Sequence, residues 1–244
     1  MIFESEPFFE SEPWQVLDTA TAPSGERLVL RRRGAEFSIR CDGWDLMGSR
    51  AQHSEQELAR QGCADLSGGK RGQARVLIGG LGMGYTLRAA LDVLPAAARV
   101  TVAEIFPAVV AWNRGPLAPL AGRPLDDPRV AVASRDVAAL LAPGAWEAIL
   151  LDVDNGPDAA MLAPNAALYG APGLARLAGA LATGGGSRSG RPTARPASRR
   201  RWRRRAGAGA VRRFPRGGFP PTPVMRSISQ CRRSKAFVKS VPVK

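Results

Sequence analysis

The stretch RVLIGGLGMGYTLRAAL, Arg75 to Leu91, restricts the fold more than any other part of the chain. An apolar run of strand type meets a cluster of glycines, and a helical pattern follows without a gap. A strand, a tight turn and a helix in that order form half of a parallel crossover unit. The pattern then repeats. RVTVAEI reads as a strand before the helical PAVVAWNRG, with Pro107 in a first-turn position. RVAVAS precedes the short helix DVAALL, and WEAILLDV precedes APGLARLAGALAT. Four apolar strands, each followed by a helix, require a parallel sheet covered on both faces.

Upstream, from Gln15 to Met47, the period is that of strands. QVLDTATA leads into the turn PSGE, RLVLRRR pairs with AEFSIRC, and Asp42–Gly43 is a hairpin signal. A small antiparallel sheet is expected there. HSEQELARQGCADL reads as a helix, with Ser54 as its cap and Glu57 three residues on completing a capping box. The first fourteen residues are acidic, repeat FESEP, and lack the basic start of a secretory signal.

The net charge of +14 conceals two unlike halves. Residues 186–244 hold 15 Arg, 3 Lys and no acid, whereas 1–185 hold 17 basic and 21 acidic residues. No run of eighteen apolar residues occurs, so no spanning helix is expected. The three cysteines are scattered without a CxxC, which points to a reducing, cytoplasmic setting and away from a thiolate metal site. His53 is the single histidine, which excludes a multi-histidine metal centre; no metal is expected.

In an open α/β sheet, ligands bind at the carboxyl ends of the strands. Gly79, Gly80, Gly82 and Gly84 stand at the end of the first such strand, and Tyr85 takes the place of the third glycine of G-x-G-x-x-G. The plain alternative is a loop that only lets a helix pack close to a strand. Glu104 lies twenty residues past Gly84 at the end of the second strand, placed to accept hydrogen bonds from ribose hydroxyls. Asp136 follows the third strand, in position to receive an adenine amino group. Asp152 and Asp154 close the fourth strand, where carboxylates orient a cationic substrate or take a proton from an amine. Asp154 to Pro157 also reads as a simple turn.

These residues carry a resemblance. VLIGGLGMG, VAEI, RDV and LLDVDNGP, behind a β domain ending DG, SR and SEQEL, resemble the spermidine synthase family over about residues 15–185. That family has the class I S-adenosylmethionine (SAM) methyltransferase fold. The resemblance implies that Gly79, Gly80, Gly82, Gly84, Glu104 and Asp136 bind SAM or decarboxylated SAM. It implies that Asp152 is the catalytic aspartate that helps deprotonate the attacking amine. Arg50 and Glu57 match the family's substrate-side pattern, and Asp154 joins them as a candidate substrate contact. Leu46, Glu55 and Gln56 stand where the family has Gln, Tyr and His. Cofactor binding therefore carries over better than polyamine specificity. The implied reaction moves an aminopropyl group to an amine acceptor, and the family often forms dimers.

The expected organisation is an acidic extension (1–14), a small antiparallel β domain (15–50), a Rossmann-like SAM-type α/β domain (51–185) and a basic tail (186–244). A class I sheet has seven strands, and only four are legible before Gly185. The Arg-, Pro- and Gly-rich remainder shows no strand or helix period, so the C-terminal strands are expected to be missing and the tail disordered. Two accounts of the tail stand. It is the product of a reading-frame shift near Gly184–Gly186, or an arm that binds nucleic acid non-specifically through its charge, with Trp202 stacking on a base. Three function classes follow: an aminopropyltransferase, a SAM-dependent methyltransferase acting on another small molecule, and a nucleic-acid-binding protein.

Overall fold

The computed structural model describes residues 12–50, 52–66, 73–153, 167–168 and 170–182, together with the backbone of 210–215 and 235–240. The chain divides into two compact units, 1–51 and 52–244.

The first unit is a four-stranded antiparallel sheet. Strands β1 (Gln15–Thr21), β2 (Arg27–Arg33), β3 (Glu36–Cys41) and β4 (Trp44–Gly48) lie side by side in chain order. β2 alternates cleanly, so Leu28 and Leu30 are buried while Arg27 is exposed. Leu30 pairs with Ile39 across the sheet. The hairpin from β3 to β4 turns on Asp42 (φ 46°) and Gly43 (φ 85°). Positive φ at both central residues matches the right-handed twist of the flanking strands, which is why Asp-Gly serves there. The other face is polar and aromatic. Arg31 and Arg33 lie over the Trp14 ring at 4.3 and 4.6 Å, and Arg31 pairs with Asp45 at 2.6 Å.

The second unit begins with helix α1 (His53–Cys63). The capping box expected at Ser54 is not formed. The cap lies two residues earlier, at Gln52, with no side-chain cap bond, and the Ser54 hydroxyl donates to Glu55 instead. A serine already inside the first turn has no path to a cap position, so it bonds locally.

The alternating region forms strands β5 (Arg75–Gly79), β6 (Arg99–Ala103), β7 (Val130–Ala133) and β8 (Ala148–Leu151). The helices are α2 (Tyr85–Val93), α3 (Pro107–Arg114) and α4 (Ala171–Ala180). The helix expected after β7 is a 3₁₀ turn, Val137–Leu140, capped by Asp136, whose carboxylate accepts the Ala138 N–H at 2.7 Å. β5 is buried from Val76 to Gly79 and β8 along its whole length. Leu77, Ile149 and Leu151 pack with Leu177 of α4, each leucine or isoleucine contributing roughly 1.5–3 kcal/mol of burial. Val76, Ile78 and Leu150 alternate to the opposite face.

The expectation that the last 59 residues supply no strand is corrected. β9 (Ala210–Pro215) and β10 (Lys235–Ser240) complete a six-stranded sheet in the order β7-β6-β5-β8-β10-β9. β10 runs parallel to β8, with Lys235 opposite Ala148 and Val238 opposite Leu151, and β9 runs parallel to β10. The buried β8 presents a row of backbone N–H and C=O groups that must be paired. Strand pairing uses backbone alone, so six residues such as KAFVKS suffice. Averaging composition over the whole tail hid them.

Candidate active site

Strand order reverses at β5, which has β6 on one side and β8 on the other. Such a switch point opens a crevice at the carboxyl ends of the strands. The glycine turn and Asp152 both fall there.

The turn leaves β5 at Gly79. Its backbone is left-handed at Gly80 (φ 86°), Gly82 (φ 55°) and Gly84 (φ 84°). A Cβ on Gly80 would stand 2.4 Å from the Asp152 carbonyl oxygen, so only glycine lets the exits of β5 and β8 approach this closely. A Cβ on Gly84 would meet Asn113 and Pro124 at 3.1 Å. Gly84 caps α2 without a side-chain bond, and the first turn of that helix carries outward N–H donors.

Three side chains fix this turn. Glu104, 6% exposed, accepts the Leu81 N–H and the Phe106 N–H, both at 2.9 Å. Burial pushes its carboxyl above the ordinary range, and the N–H groups of Leu81, Phe106, Ile105 and Gly82 pull the other way. Asn113, 2% exposed, donates to the Gly82 carbonyl at 2.8 Å and to the Val109 carbonyl at 2.9 Å. The Thr86 hydroxyl lies 2.7 Å from Asp152 Oδ2, and the Asp152 N–H donates to the Gly79 carbonyl at 2.8 Å. Burial and the Glu55 carboxylate push the Tyr85 hydroxyl above its ordinary range, and α1 packs against α2.

The structure thus places Gly79, Gly80, Gly82, Gly84, Glu104 and Asp152 together at the carboxyl ends of β5, β6 and β8. Glu104 follows β6 directly, and its oxygens close the turn by accepting the Leu81 and Phe106 N–H groups. Asp136 is exposed after β7 and caps its own turn. Glu57 makes local contacts on α1, with Arg60 at 3.8 Å and Gln61 at 2.5 Å. Arg50 pairs with Glu36 at 2.9 Å inside the first unit. Asp154, with Asn155, Gly156 and Pro157, lies outside the described residues, as does Trp202. Among the described residues no group of three His, Cys, Asp or Glu could hold a metal ion, and no helix is long and apolar enough to cross a membrane.

Thr86 and Asn113 were not singled out from the sequence. Asn113 had a signal: one amide in the apolar helix PAVVAWNRG needs a partner if it is buried. Thr86 had none, because its partner lies 66 residues away.

No family model and no curated protein matches the sequence. Solved structures do match the fold. Spermidine synthase from Thermotoga maritima superposes with a TM-score of 0.54 at 18% identity, covering 69% of this chain and 54% of that one. A spermidine synthase in complex with the transition-state analogue AdoDATO gives 0.54 at 17%, covering 69% and 53%. The match spans about half the length of those enzymes. At such identity the likeness establishes architecture: a small antiparallel sheet and a Rossmann-like parallel sheet, together a spermidine synthase-like fold.

Proposed function

We propose that this chain is a spermidine synthase-like transferase that moves an aminopropyl group from decarboxylated SAM to a polyamine-type amine. The observation that carries the reading is Asp152: a carboxylate at the carboxyl end of β8, hydrogen-bonded to Thr86, against a turn that only glycine permits. A likeness to a synthase holding a transition-state analogue supports it.

The donor supplies a carbon made electrophilic by an adjacent sulfonium. The protein's work is alignment and proton removal. Glu104 and the glycine turn hold the nucleoside end, with Asp136 toward the base. Asp152 orients the amine and accepts its proton, which keeps the nitrogen pair available for attack. No metal is required for such a displacement. The reading places the protein in the cytoplasm, in keeping with the buried thiols Cys41 and Cys63.

The test uses the full chain. Calorimetry with decarboxylated SAM and with SAM measures donor binding, and mass spectrometry follows product from decarboxylated SAM and putrescine. Expected are binding of decarboxylated SAM, spermidine formation, and a loss of roughly 100-fold or more in Asp152→Asn with binding retained. Binding of SAM alone, with methyl transfer to a small molecule, would replace this reading with the methyltransferase. Binding of neither would end it.

A further inference from the structure

We propose that Thr86 is a positioning residue that holds Asp152 in one orientation both before and after proton uptake, by donating to the same carboxyl oxygen in both states. The proposal rests on the transferase reading above.

The Thr86 hydroxyl sits between two acceptors, Asp152 Oδ2 at 2.7 Å and the Glu55 carbonyl oxygen at 3.5 Å. Thr86 is 1% exposed, so its hydroxyl is served by protein groups. A hydroxyl has one proton to donate and two lone pairs with which to accept. Ionised Asp152 only accepts, so the Thr86 proton points at it, and the shorter distance is that of a charge-assisted bond.

In the transfer step the amine N–H bond breaks and its proton passes to Asp152. The nitrogen lone pair forms the new C–N bond, and the C–S electron pair leaves with the thioether. Asp152 is then neutral, with the proton on Oδ1, and Oδ2 still accepts the Thr86 hydroxyl. Each heavy atom keeps its place, and the hydrogen bond from Thr86 to Asp152 keeps its direction.

The test compares full-length wild type, Thr86→Val and Thr86→Ser in steady-state transfer, with unfolding measured alongside. Valine keeps the shape and removes the hydroxyl; serine keeps the hydroxyl. Expected is a kcat about 10- to 100-fold lower in Thr86→Val, with donor KM within about twofold of wild type, and recovery of most of kcat in Thr86→Ser. An undiminished kcat in Thr86→Val overturns the role. So does an equal fall in both variants that tracks lost stability, because it marks a packing effect. Wild type that binds the donor yet transfers nothing overturns the function itself, and the role of Thr86 with it, before any variant is compared.

Discussion

Arg129 ties the end of α2 to the approach of β7, and its partner Asp127 makes the tie measurable. The guanidinium donates to Asp127 through Nε at 2.9 Å and Nη2 at 2.8 Å, and the Arg129 backbone N–H adds a third bond at 2.9 Å. The same guanidinium reaches the Leu94 carbonyl at 3.0 Å and the Leu91 carbonyl at 3.1 Å, at the carboxyl end of α2. A cation there also suits the helix dipole. Both side chains are mostly buried, 18% exposed for Asp127 and 15% for Arg129. The Arg129 hydrogen bonds hold the Asp127 carboxyl down at about 2. A drop of nearly two units corresponds to roughly 2.5 kcal/mol at most, and partial solvation reduces that to about 1–2 kcal/mol. A depressed pKa contributes stability above the unfolded value, and that stability is lost as pH falls through the folded value. Asp127→Asn is therefore expected to cost about 1–2 kcal/mol at pH 7, or about 3–6 °C in Tm. About half the gap to wild type should be gone by pH 3, because wild type loses the same contribution there. Urea unfolding at pH 7 and pH 3 measures both. No penalty at pH 7, or an equal penalty at both pH values, refutes the reasoning.

Two further outcomes follow from the packing. Gly80→Ala drives a Cβ to 2.4 Å from the Asp152 carbonyl at a φ of 86°, so a loss of roughly 3 kcal/mol or more is expected, along with donor binding; near-wild-type unfolding would show that the turn and β8 are not in contact. Truncation after residue 185 removes β10 and bares the β8 edge, so the shortened chain should aggregate under light scattering where the full chain does not; a stable monomer would show that β8 needs no cover.

The legible parts were those with local causes. The run from Arg75 to Leu91 carries its strand, turn and helix within seventeen residues, and Asp42–Gly43 announces its hairpin by the φ values it tolerates. The position of Glu104 at the end of β6 is legible because one crossover unit fixes the distance between strand ends. The rest depends on meetings that spacing does not encode. Whether Thr86 faces Asp152 depends on how α2 lies across β8. Asp136 as a cap depends on the helix after β7 tightening to a 3₁₀ turn. Ser54 shows the converse failure: a cap motif lost to a helix whose cap falls two residues earlier. β10 was missed because six residues of strand were judged by fifty-nine residues of composition.

The pairing of β8 with β10 also sets a schedule for synthesis. Ala148 and its partner Lys235 are separated by about 85 residues, and a ribosome adding roughly 5–20 residues per second needs about 4–17 s to bridge them. During that interval β5 to β8 have been made and β8 still lacks a neighbour on one side. The nascent chain must therefore pass through a state that exposes a sticky apolar margin, for a time set by the speed of translation and by whatever chaperone reaches it first.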